Sequence, residues 1–144
     1  MQAFTYKDWL YGYGIGTNSL GVQYVSRMLG ERPPENRVES GFGSLIVEMG
    51  ILAPVLWLVW TLVLLRTGWL VVRRLKATPY FPVGFAMYWF VFLLLIPFMF
   101  MGLQPYQNFV YNAYLWLLIG ILFRLPRLLV QSQAQAQVAM GSSR

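Results

Sequence analysis

The chain has 144 residues, of which 58% are hydrophobic, 17% aromatic and 11% charged, with a formal net charge of +6 and a mean hydropathy of +0.53. A water-facing surface uses about a quarter charged residues, so these proportions exclude a soluble globular domain and imply an integral membrane protein. Cysteine and histidine are both absent, which excludes disulfides and thiolate metal sites and removes the commonest general base and metal ligand.

The first 44 residues are the least apolar part of the chain. Eleven residues in comes the stretch GYGIGTNSLG, Gly12 to Gly21, with glycines alternating at Gly12, Gly14 and Gly16. The spacing is not the dinucleotide pattern G-x-G-x-x-G, no strand precedes it, and no Gly-Lys-Ser/Thr follows. A nucleotide site is therefore not expected; tight backbone turns at the membrane surface are. Thr17 or Asn18 can cap a short helix running to about Leu29, with Gly30 ending it. Leu20, Tyr24, Val25, Met28 and Leu29 share one side of that helix, as in an amphipathic segment lying on lipid or on neighbouring spans. The prolines of ERPPENR then stop regular structure, and the chain returns to the bilayer through VESGFGSLIVEMG.

Three segments are long and apolar enough to cross a bilayer, which takes ~20 residues. They are Leu45 to Leu65, with one acid at Glu48; Phe81 to Leu103, with no charge; and Tyr106 to Phe123, with a wetter beginning. Pro54 and Pro97 fall inside these runs and are expected to kink them. The organisation is thus an outer segment at 1–44, a three-helix region at 45–129 and a polar tail at 130–144. The tail, QSQAQAQVAMGSSR, is low in complexity and reads as a cytoplasmic extension or a disordered end.

Charge orients the spans. Arg66, Arg73, Arg74 and Lys76 lie between the first and second, Arg124 and Arg127 follow the third, and the turn Leu103 to Asn108 is uncharged. By the positive-inside rule the basic loop and C-terminus are cytoplasmic, and the first 44 residues lie on the far side. There Lys7, Arg27, Arg32 and Arg37 balance Asp8, Glu31, Glu35 and Glu39. The net charge therefore reflects topology, with some attraction to anionic lipid, and implies no nucleic acid. MQAFTYKDWLYGYG has no basic region followed by an apolar run. The expectation is either the C-terminal part of a longer polytopic protein or a short one inserted by its first span.

The order of these pieces carries a resemblance. YGYGIGTNSLG, a polar excursion, and ESGFGSLIVEMGILAPVLWLVW with its Glu48-x-Gly50 resemble the C-terminal portion of the O-antigen ligase and polymerase-like membrane proteins. The likeness covers about residues 10 to 66; the last two helices match in hydropathy only. It implies a glycosyltransferase that moves a glycan from an undecaprenyl diphosphate carrier to an acceptor hydroxyl in a bacterial inner membrane, without metal or nucleotide. Under this resemblance Arg27 and Arg32 contact diphosphate or lipid, for which the planar guanidinium is suited. Arg37 and Glu39 are the first candidates for catalysis, and Glu48 is a further candidate base.

Other readings stand beside it. Glu31 to Glu39 also fit a solvated loop with weak mutual ion pairs, and Glu48 a local cap or partner. Ligases of the family carry a histidine near the position of ESGFG, and its members have roughly ten or more spans, with part of their diphosphate-binding arginines in an earlier loop. This sequence has no histidine and three spans. The main expectation is therefore an all-α membrane protein with an incomplete active site, packed as a subunit in a larger complex such as a respiratory or light-harvesting assembly. Its partners are the lipid bilayer and other membrane subunits, with polyprenyl-linked glycan under the transferase alternative. No cofactor is expected, because the usual histidine ligand is missing.

Overall fold

In a computed structural model the described residues are 9–16, 20–30, 40–101 and 108–142. They form six helices and, among them, no strand: α1 (Leu20–Met28), α2 (Gly41–Met49), α3 (Leu52–Leu75), α4 (Phe81–Leu95), α5 (Pro97–Phe100) and α6 (Phe109–Ser142). Three helical stretches are long and apolar enough to cross a membrane, namely α3, α4 with α5, and the first 27 residues of α6. The protein is all-helical and membrane-spanning in character.

The spans are bounded differently from the runs of apolar sequence. The first run is divided at Gly50 into α2 and α3, and α3 continues past Arg66 to Leu75. At 1.5 Å per residue its 24 residues reach ~36 Å, more than the ~30 Å that a hydrocarbon core requires. Pro54 produces no kink: it stands in the first turn of α3, where its missing N–H has no intrahelical partner anyway. Pro97 does interrupt its span, separating α4 from α5 at Ile96. The described part of the tail is helical: α6 passes Pro126 and runs on to Ser142.

α3, α4 and α6 pack on one another around Leu65, Val91, Leu94, Leu95, Leu115 and Ile119. Between membrane helices there is little hydrophobic gain, so close van der Waals fit does the work, and small residues permit it. Gly68 and Gly84 serve that purpose. A Cβ on Gly84 would stand 2.9 Å from Leu75 Cδ1, and one on Gly68 would stand 3.2 Å from the Tyr88 ring. α2 lies against α3 and α5 at the other end of this bundle, whereas among the described residues α1 packs against none of the other helices.

Candidate functional site

α2 is a short helix held at both ends. Its start is set by Ser40, in extended conformation, whose Oγ accepts the N–H of Gly43 at 3.0 Å, as an N-cap does. Gly41 then presses on α5: a Cβ there would come within 2.9 Å of Met99 Sδ and 3.0 Å of its carbonyl oxygen. The Phe42 and Phe100 rings, 4.9 Å apart, extend the contact. Leu45, Ile46 and Val47 are buried, and Ile46 and Val47 pack on Trp9 and Ile51.

The end of α2 explains the alternating glycines. A helix leaves its last carbonyls without intrahelical donors. Here the Gly50 N–H donates to Ile46 at 2.9 Å, and the loop supplies two more donors: Tyr13 N–H to the Val47 carbonyl at 2.7 Å and Gly14 N–H to the Glu48 carbonyl at 3.0 Å. Gly12, Gly14 and Gly16 all have positive φ, at 78°, 107° and 87°. The approach is closest between Gly12 and Gly50. A Cβ on Gly12 would lie 2.6 Å from the carbonyl carbon and oxygen of Glu48 and from the Gly50 nitrogen; one on Gly50 would strike the Leu10 carbonyl. The loop is a clasp, with backbone seated on backbone.

Under the clasp Glu48 is 2% exposed. A carboxylate in the last turn of a helix meets the negative end of its dipole; the two loop amides donating to Val47 and Glu48 offset that negative potential. Beside it α2, α3 and α6 border an apolar groove of about 530 Å³, lined by Leu45, Met49, Leu56, Trp57, Trp60 and Trp116. The indoles form a chain, with Trp57 and Trp60 centroids 5.3 Å apart and Trp60 and Trp116 5.9 Å apart. No group of three or more metal-ligating side chains occurs among the described residues.

Of the residues singled out in the sequence, Gly12, Gly14 and Gly16 build the clasp, and Glu48 lies beneath it. Arg27 is exposed in the last turn of α1, which among the described residues makes no contact with another helix. The expected lipid-facing side of α1 is open, with Tyr24, Val25, Met28 and Leu29 all exposed. Arg32, Arg37 and Glu39 lie outside the described residues. Sequence reasoning missed the tryptophan-lined groove, whose walls come from helices more than fifty residues apart in the chain, Leu45 to Trp116. It also left the two glycine motifs unpaired; the signal was that both demand glycine where two backbones meet. No protein-family model, curated protein or solved structure matches the chain.

Proposed function

We propose that the chain is a membrane-embedded helical unit that works packed against further membrane helices, of its own polypeptide or of another, in a larger assembly. One observation carries this reading. In the most apolar window of each span only 22%, 28% and 22% of residues are buried within the chain, and the outward surface is concave at the tryptophan-lined groove. The indole-walled groove gives a neighbouring membrane helix a surface to pack into by close van der Waals fit. The aromatic residues, including Trp89, Phe90 and Trp116 on exposed faces, supply packing surface and interfacial anchors. The proposed location is a bacterial inner membrane, with the clasp on the extracytoplasmic side and the basic end cytoplasmic.

A second reading is favoured by the clasp itself. It brings the G-x-G-x-G loop and the Glu48-x-Gly50 turn into one structure around a buried carboxylate. That supports a part in glycosyl transfer from an undecaprenyl diphosphate carrier, with Arg27 and Arg32 contacting the diphosphate, Arg37 beside its leaving group, and Glu39, or Glu48, as the base that takes the acceptor proton. Purification from native membranes in mild detergent separates the two. Stoichiometric recovery with other membrane proteins supports the subunit; recovery with polyprenyl diphosphate glycan, lost in Arg37→Ala, supports the transferase. Recovery of these spans with no further membrane helices, of the same polypeptide or another, and without glycan overturns both.

A further inference from the structure

The end of the bundle opposite the clasp gathers charge. Gly84, in the first turn of α4, nests against Leu75 at the end of α3 and against Leu122 and Leu125 of α6; a Cβ there would lie 2.9 Å from Leu75 Cδ1 and 3.3 Å from Leu125 Cδ1. This contact holds the end of α3 and the Arg124–Arg127 turn of α6 at one level along the bundle. Arg66, Arg73, Arg74, Lys76, Arg124 and Arg127 are all exposed there. Glu48, the one acid among the described residues, is on α2 at the far end. The collar therefore has no acidic counterpart among the described residues.

Arg66 is the informative member. It stands two turns before Arg73, which places it ~10 Å deeper along α3, within the apolar span Leu52–Leu75. Residues at i, i+3 and i+7 share a helix face, so Arg66, Trp69 and Arg73 form one outward stripe, each exposed. The Trp69 indole is set by Tyr88, 5.6 Å away. A cation at that depth is costly unless it reaches an anion, and its long stem lets it reach toward the headgroups. A guanidinium pair binds phosphate through paired N–H groups, and tryptophan favours the same interfacial layer. Free phosphate, nucleic acid or an acidic protein does not enter the hydrocarbon edge where Arg66 sits. A phosphate carried on alkyl chains already resides beside it.

We propose that this collar is a binding site for the headgroups of anionic phospholipids, with the Arg66–Trp69–Arg73 stripe as its deepest seat. The assignment is independent of either reading of function. The full chain, purified in uncharged detergent, is offered phosphatidylglycerol and phosphatidylcholine at equal concentration, and retained lipid is counted by native mass spectrometry. Retention of phosphatidylglycerol over phosphatidylcholine is expected, weakening as salt rises. Each removed cation is expected to lower the preference ~5-fold, so R66Q/R73Q loses most of it while melting as the parent does in phosphatidylcholine. Equal retention of the two lipids overturns the proposal, as does an unchanged preference in R66Q/R73Q. Should that variant not fold, the parent protein still decides: glycerol phosphate, a headgroup without chains, must fail to displace bound phosphatidylglycerol. Displacement at equal concentration would make the site one for soluble phosphate and overturn the lipid seat.

Discussion

Gly12 and Gly50 are required for two separate reasons, and substitutions can tell these apart. Both have φ of 78°, where a Cβ is strained, and both stand where a Cβ would enter backbone rather than a movable side chain. Gly30 shares only the first property: its φ is 70°, but a Cβ there meets nothing within 4 Å. Gly30→Ala is therefore expected to cost ~1–2 kcal/mol locally in α1. Gly12→Ala and Gly50→Ala are expected to cost at least ~3 kcal/mol, because conformational strain and displaced backbone add. Gly120, helical with open space around it, is expected to gain ~0.5–1 kcal/mol as alanine. Thermal unfolding in detergent ranks the four; hydrogen exchange at the Tyr13 and Gly14 amides shows whether the clasp has opened. A Gly12→Ala protein that melts as the parent does, with both amides protected, would mean that the Gly12–Gly50 approach does not hold the clasp. Thr61 offers a test of opposite sign. It is fully buried, and its hydroxyl has no hydrogen-bond partner among the described residues. An unmet buried hydroxyl costs free energy that an apolar group of the same shape does not, so Thr61→Val is expected to raise the melting temperature.

At the scale of elements, the apolar runs were plain in the sequence and their interruptions were not. Phe81 to Leu103 contains no charge, and a charge-free run of that length admits little but a span. Its break at Ile96 was legible too, since Pro97 cannot donate to the preceding turn. The break at Gly50 was harder to read. Glycine is common inside membrane helices, and only the loop packed against it makes this one a terminus. Pro54 misled in the other direction, because proline is harmless in a first turn, and the first turn was set by Gly50. The end of α3 was placed too early because Arg66 looked like a boundary, while a long side chain allows a helix to continue through the interface. For the site, the spacing of the glycines spoke against a nucleotide loop, but it holds no information about what they rest on. α2 itself is expected to depend on its start: Ser40→Ala removes the acceptor of the Gly43 N–H and should cost ~1 kcal/mol. The loss would appear as faster exchange at Gly43 and Ser44, with the α3, α4 and α6 amides unchanged. Equal loosening throughout the bundle would mean that α2 is no separate unit.

For the whole molecule the open matter is which way the bundle faces, and the chain is unusually well suited to an answer. It has no cysteine, so a single introduced thiol reports on one position only. Packing already fixes which ends go together: Leu75 meets Gly84 and the Leu122–Leu125 turn, while α2 meets α5 and the clasp. Charge decides the direction, since the end with Arg73, Arg74, Lys76, Arg124 and Arg127 is expected to stay on the cytoplasmic side. Ala77→Cys, in the turn after α3, and Gln133→Cys, exposed on the outer part of α6, should then resist a membrane-impermeant maleimide applied to intact cells and react once the membrane is opened. Ile15→Cys in the exposed clasp loop and Met28→Cys at the end of α1 should react in intact cells. Reaction of all four in intact cells would break the three-span arrangement, because an odd number of crossings must separate the clasp from the end of α6. Reaction of only the first pair would keep the arrangement and invert it. The basic collar would then face the extracytoplasmic leaflet, and its lipid would have to come from there.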